Sequence, residues 1–181
     1  MTFDPAKLVF IDETWASTSM TRRYGRAPYS ERLIGHAPNG HWKTTTFIAA
    51  LRHDRITAPY VFDSPVNGEK FLAYVEQMLA PTLTSGDIVI MDNLGSHKVK
   101  GVKEAIEAQG ATLLYLPPYS PDFDPIEQVF AKLKAWLRKV AQRTIDTLWD
   151  AIKDAIDLFT PQECTAYFRN AGYHLPNRKV L

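Results

Sequence analysis

Apolar positions along the chain alternate between short continuous runs and helical stripes. Lys7–Ile11 (KLVFI) reads as a buried strand ending at Asp12. Residues 17–42 are rich in Arg, Gly, Pro and aromatics and read as an ordered loop, with room for a short strand at its start. Thr44–Leu51 and Ile56–Phe62 form a predicted antiparallel hairpin around Arg52–Arg55, and Pro59 places its second strand at an edge or a bulge. Gly68–Leu79 is a predicted helix with Phe71, Leu72, Val75, Met78 and Leu79 on one face. Ile88–Met91 is a strand that stops at Asp92, Val99–Gln109 a helix closed by Gly110, and Thr112–Leu116 a strand. A Pro-rich loop, Pro117 to Pro121, leads into a long helix from Pro125 to Val140, where Ile126, Val129, Phe130, Leu133, Trp136, Leu137 and Val140 follow a 3–4 spacing. A last helix runs from Thr144 to Phe159 and ends before Pro161, and the tail to Leu181 reads as partly extended.

Antiparallel strands therefore come first and βαβ units follow. That order predicts an α/β fold, a mixed five-stranded sheet with helices on both faces. A ribonuclease-H-like fold has this order, as do several other α/β folds. With 181 residues, one domain is expected: residues 1–6 as a residual linker, 7–160 as the folded unit and 161–181 as a C-terminal tail.

Composition narrows the class. The chain is 45% hydrophobic with 4 Trp, 8 Tyr and 9 Phe, enough for a sizeable core. Cys164 stands alone, which excludes an intramolecular disulfide and a cysteine zinc cage and suits a reducing cytoplasm. Neither a signal peptide nor an apolar stretch near the roughly 18 residues of a membrane span is visible. The net charge of +1 hides two basic segments. Seven Lys/Arg against two acids lie between Arg22 and Arg55; five and no acid lie between Gln128 and Arg143. Either segment suits a phosphate backbone or a solvated face.

Three carboxylates stand out by position. Asp12 and Asp92 each follow an apolar run and would leave the sheet at the carboxyl ends of strands, where ligand sites of open α/β sheets cluster. Were those strands parallel neighbours, both side chains would reach one cation, and Glu127 would enter from the first turn of the long helix. Each also has a structural reading. Asp after a strand is commonly a turn residue or cap. In Asp124-Pro125-Ile126-Glu127, Asp124 suits the N-cap and Glu127 the capping-box position, so spacing does not separate a capping glutamate from a ligand. Glu13 should point to the face opposite Asp12. Asp122 and Asp124 read as loop acids, Asp124 with a supporting role at the site. His97 and His36 read as surface or supporting groups.

The stretches Val9-Phe10-Ile11-Asp12-Glu13-Thr14, Ile90-Met91-Asp92-Asn93-Leu94-Gly95-Ser96-His97 and Leu116-Pro117-Pro118-Tyr119-Ser120-Pro121-Asp122-Phe123-Asp124-Pro125-Ile126-Glu127 carry a resemblance. From Lys7 to Tyr173 the chain resembles insertion-sequence transposases of the Tc/mariner superfamily, in the bacterial branch called DDE superfamily endonucleases. The 34 residues between Asp92 and Glu127 fit the separation typical of that branch. The resemblance implies a ribonuclease-H-like catalytic domain with Asp12, Asp92 and Glu127 as catalytic and metal-binding acids. It implies two Mg²⁺ ions, with Mn²⁺ as a substitute, cleavage of DNA at transposon ends, and transfer of the freed 3′-hydroxyl into target DNA. Asn93, His97 and Asp124 become candidates for orienting the metal or the phosphate, and Lys132, Lys134, Arg138 and Lys139 for holding DNA.

The expected partners are double-stranded DNA, a second copy of the chain on that DNA, and a separate helix-turn-helix module missing from this chain. The expected setting is the cytoplasm, at the nucleoid. Position 124 is Asp where the family usually has Asn, which puts metal binding in question. Three other readings stay open: an idle remnant that binds only DNA or an intact transposase, a stand-alone nuclease acting on structured nucleic acid, and, on fold logic alone, a Mg²⁺ phosphohydrolase that does not act on nucleic acid.

Overall fold

The computed structural model describes residues 3–118 and 120–174. Five strands, β1 (Leu8–Ser17), β2 (Thr44–Leu51), β3 (Ile56–Phe62), β4 (Ile88–Met91) and β5 (Thr112–Tyr115), form one sheet in the order β3-β2-β1-β4-β5. The β1–β2 and β2–β3 pairs are antiparallel, whereas β4 runs parallel to both β1 and β5. Helices α1 (Gly68–Tyr74) and α2 (Val102–Glu107) cover one face, and α3 (Ile126–Val140), α4 (Ile145–Ile156) and α5 (Pro161–Asn170) the other.

The period-2 alternation of β1 divides the core. Leu8 and Phe10 pack with Phe130, Leu133, Leu148, Ile152 and Phe168 from the α3–α5 layer. Val9 and Ile11 pack with Phe71, Val75, Leu79, Val102 and Ile106 on the reverse. Five large side chains, Phe10, Phe47, Phe71, Phe130 and Phe168, are almost completely buried. Burial on this scale stabilises by about 2–3 kcal/mol per side chain before chain entropy is counted.

Several predicted boundaries move. β1 does not stop at Asp12 but continues to Ser17, because β2 supplies an antiparallel partner along that whole length. The predicted Gly68–Leu79 helix holds α-geometry only to Tyr74 and then passes through a π turn, Val75–Leu79, which keeps Val75 and Leu79 buried. Pro59 sits next to a bulge: the β2–β3 register shifts between Ile48 and Ala50, and Ala58 takes φ 49°. The largest difference is α5. Thr160 caps it, its hydroxyl accepting from the Glu163 N–H while the Glu163 carboxylate accepts from the Thr160 N–H. Pro161 therefore opens a helix as well as following one, and Cys164 and Phe168 enter the core. The end of the predicted tail, residues 175–181, lies outside the described residues.

Part of the predicted basic surface is structural. Arg52 is buried and pairs with buried Asp87 at 2.7 Å. Arg143 donates to the carbonyls of Thr18 and Met20, tying the end of the α3 segment to the start of the β1–β2 loop. Arg22, Arg23, Arg26, Arg32 and His36 lie on that loop and are exposed. No helix among the described residues is long and apolar enough to cross a membrane.

Candidate active site

The parallel pairing of β1 and β4 ends with Ile11 opposite Met91. Asp12 and Asp92 are the next residues on each strand, so the pairing that organises the sheet sets them side by side. Alternation turns both toward the layer of α3, since Phe10 and Ile90 belong to that core. Asp12 thus owes its place to the end of the parallel pairing rather than to the end of its strand; on its other side it pairs with Ala49 of β2.

Glu127 arrives from the first turn of α3. Its N-cap chemistry is partly as expected: an Asp124 carboxylate oxygen accepts from the Ile126 N–H at 3.3 Å. The reciprocal half of a capping box is not formed, because the Asp124 N–H donates to the Pro121 carbonyl. Among the described residues the Glu127 carboxylate has no hydrogen-bond donor, and it faces solvent from the cavity wall. Asp12, Asp92, Asn93, Asp124 and Glu127 line one cavity of about 440 Å³, with Leu116 to Pro118 forming part of its rim. Three distant stretches of chain meet there.

The electrostatics of this cavity are unbalanced. Burial first, then the charges of Asp124, Glu13 and Glu127, push the Asp12 carboxyl up to about 8. Burial and the charges of Glu127 and Asp92 push Asp124 up to about 7. Asp92 behaves oppositely: burial opposes its ionisation, but His97 and the Leu94 N–H more than offset that and hold it below the usual range. The cluster thus holds more carboxylate than the protein's own cations neutralise. Among the described residues, no three His, Cys, Asp or Glu side chains already stand close enough to enclose an ion. Asp12, Asp92 and Glu127 share a cavity without forming a closed cage.

The supporting candidates separate. Asn93 lies on the cavity wall and His36 lies on the exposed β1–β2 loop. His97 is not a surface group: it is fully buried on the α1 face, stacked on Phe71 at 4.2 Å between ring centroids. One ring nitrogen lies 2.8 Å from Glu13 Oε2 and the other 2.6 Å from Asp92 Oδ1. The Asp92 contact is off the N–H axis, so it is an ion pair more than a hydrogen bond. Despite burial, the two carboxylates raise the imidazole to about 9, so it is cationic at neutral pH.

Of the four basic residues on α3, Lys132 is paired at the surface, with Glu163 at 2.6 Å and with the Leu158 carbonyl. Lys139 lies over the Trp136 ring at 5.9 Å. Lys134, which stands over the Trp15 ring at 4.9 Å, feels the charges of Glu127, Arg138, Asp12 and Arg23. Lys134 and Arg138 continue the helical row that begins at Glu127, and Arg23 joins them from the loop. Sequence reading passed over Arg23 as a site neighbour, because only folding brings the loop beside α3.

Residues 7–149 match the family model described as DDE superfamily endonuclease. A search of curated protein sequences finds no relative. Among solved structures, the chain is similar to the Mos1 transposase paired-end complex with left transposon end, at 17% identity and TM-score 0.70 over 92% of this chain and 52% of that one. The Mos1 Strand Transfer Complex gives 17% identity and TM-score 0.72 over 92% and 51%. The Mos1 transposase catalytic domain with raltegravir and Mg gives 16% and 0.65 over 92% and 77%. The chain spans about half the length of the first two. The shared architecture is the ribonuclease-H-like sheet, one of the folds that the order of elements allowed and the one that the family resemblance implied. With its family model covering most of the chain and its three acids gathered at the end of the parallel strand pair, the chain belongs to the DDE superfamily endonucleases.

Proposed function

We propose that this chain is the catalytic domain of a DNA transposase, cutting DNA at transposon ends and joining the freed 3′-hydroxyl to target DNA. The observation that carries the reading is the meeting of Asp12, Asp92 and Glu127 around one cavity, from three stretches far apart in sequence. The donor set is all oxygen and short of positive charge, which fits hard divalent cations that keep part of their water. Asp12, Asp92 and Glu127 would hold two Mg²⁺ ions, with Mn²⁺ as a substitute. Bound there, such ions supply the charge that activates an attacking oxygen and stabilises a leaving one in phosphoryl transfer. Asp12 and Asp92 fix one side of the cavity from the rigid sheet and Glu127 the other from α3. Asp124 caps α3 and adds negative charge next to the ligands. The reading takes support from the Mos1 structures, which hold transposon-end DNA in one case and Mg in another.

The direct test is incubation of labelled transposon-end DNA with the protein, Mg²⁺ or Mn²⁺, and a helix-turn-helix partner where one is encoded nearby. Nicked and joined products are expected, through a homodimer on DNA. Metal-dependent cleavage with no joining to a 3′-hydroxyl acceptor would instead favour a stand-alone nuclease.

The DNA path follows Lys134 and Arg138. Changing either to Glu is expected to weaken DNA binding and to lower the slope of log affinity against log salt by about 1. Lys132→Glu is expected to leave that slope nearly unchanged and to lower thermal stability, because Lys132 joins α3 to Glu163. A salt slope untouched by Lys134→Glu would contradict the assignment.

The raised carboxyls set a pH dependence. Asp12 and Asp124 titrate above their unfolded-state value of 3.8, so between those limits the folded chain binds more protons than the unfolded one. In chelator, stability is then greatest at low pH within that window and falls as pH rises toward about 8. A drop in Tm of about 5 °C or more between pH 5 and pH 8 is expected, largely abolished by Mg²⁺. A flat profile in chelator would count against the crowded-carboxylate description.

A further inference from the structure

Alternation along β1 turns Glu13 away from Asp12, to the face where it meets His97. Its contacts nonetheless reach both aspartates of the site. The Glu13 backbone N–H donates to Asp12 Oδ1 at 2.8 Å. The Glu13 side chain meets a His97 ring nitrogen at 2.8 Å, and the other ring nitrogen lies 2.6 Å from Asp92 Oδ1. Asp92 Oδ1 also accepts from the Leu94 N–H at 3.1 Å. Among the described residues, Oδ2 of Asp12 and Oδ2 of Asp92 have no hydrogen-bond donor. Each aspartate therefore has one oxygen tied to the protein, while both residues line the cavity.

The bridge is built to be stiff. His97 is fully buried, and its ring lies nearly parallel to Phe71, at 28°. The His97 carbonyl accepts from the Tyr115 hydroxyl at 3.2 Å, which fixes the backbone of the turn Gly95–Lys98 to β5. Glu13 is held within β1 opposite Ile48. Groups held against a metal-binding carboxylate, here the His97 ion pair and the Leu94 N–H hydrogen bond on Asp92 Oδ1, orient it, and removing such support weakens metal affinity by about 10–100-fold.

We infer that Glu13 and His97 are positioning residues: acting from the opposite face of the sheet, they fix Oδ1 of Asp92, while the Glu13 backbone fixes Oδ1 of Asp12, so that the free oxygens of both aspartates are presented together to the cation site. The inference rests on the proposal that Asp12, Asp92 and Glu127 bind divalent metal. It gives Glu13, which sits outside the cavity, a role in metal affinity and none in substrate contact.

The test is calorimetric titration of Mn²⁺ into the wild-type protein and into Asp92→Ala, Glu13→Ala, Glu13→Asp and Glu13→Gln, with Tm measured for each in chelator. Glu13→Asp keeps the charge but shortens the reach by one methylene, and Glu13→Gln keeps the reach and an acceptor oxygen. Glu13→Ala and Glu13→Asp are expected to weaken Mn²⁺ binding about 10-fold, with Glu13→Gln restored to within about threefold of wild type. A structural role alone would lower Tm without this pattern. Wild-type Mn²⁺ affinity in both Glu13→Ala and Glu13→Asp, with binding lost in Asp92→Ala, would overturn the inference and leave the metal site standing. Equal Mn²⁺ binding by wild type and Asp92→Ala, or none by wild type, would overturn both.

Discussion

Asp92→Ala is expected to reduce metal-dependent cleavage of transposon-end DNA by on the order of 10³-fold or more, the scale of loss when one member of a group acting as a unit is removed. Asp92 is the member of the cluster best prepared to be charged. Its carboxyl is held below the usual range by His97 and the Leu94 N–H, whereas burial and neighbouring carboxylates hold Asp12 and Asp124 above it. Metal-free Asp92 is thus the anion already in place at neutral pH. Asp12→Asn is expected to lose activity to a similar extent but to stabilise the metal-free protein as pH rises toward and above about 8, where the wild-type carboxyl takes on a charge that burial, Asp124 and Glu127 oppose. Loss of cleavage in both variants, with opposite or unequal shifts in Tm, separates a catalytic from a folding defect. Cleavage by Asp92→Ala at wild-type rate would refute the site.

The second large effect is on stability, at the end of the sheet away from the acids. Asp87, just before β4, is only 1% exposed and pairs with Arg52, which follows β2. Burial works against the Asp87 charge, but Arg52, with the Thr84 N–H and hydroxyl, holds the carboxyl below its usual range. Arg52 also donates to the Thr82 carbonyl. Asp87→Ala would strand a buried guanidinium and is expected to destabilise by about 3–5 kcal/mol. Tm should fall by roughly 10 °C or more. Because the folded-state value is depressed, the contribution of Asp87 is present above the unfolded-state value of 3.8 and is lost as pH falls through the folded one. The acid limb of the stability curve should therefore weaken in Asp87→Asn. A combined Arg52→Met and Asp87→Leu replacement is expected to recover most of the loss. Chemical denaturation of the three variants checks this, and a loss under about 1 kcal/mol in Asp87→Ala would show that the pair contributes little.

How far the sequence reaches is clearest at particular residues. The apolar runs Leu8–Ile11 and Ile88–Met91 announced two strands and the acids that follow them, because a two-residue period and a sharp polar boundary are local signals. That the two strands are parallel neighbours was a condition the sequence left open, since pairing depends on contacts far apart in the chain. Glu127 was ambiguous for the same reason: capping and metal binding use the same position, and only the unformed capping box distinguishes them. Helix α5 was legible but missed. Thr160-Pro161-Gln162-Glu163 is a capping-box signature, but a proline that follows one helix and opens the next gives the same local signal as a plain helix stop. The bridge from Glu13 to His97 joins residues 84 apart, and no spacing rule would have found it. Lys132 shows the limit of charge reading, because a basic run does not reveal which of its lysines already pairs with an acid, as Lys132 does with Glu163.

The most direct measurement is anomalous diffraction from crystals of the protein soaked in Mn²⁺. Two adjacent manganese peaks within reach of Asp12, Asp92 and Glu127, both lost in Asp92→Ala crystals, are the predicted result. Manganese bound elsewhere, or held at the same place without Asp92, would contradict the account.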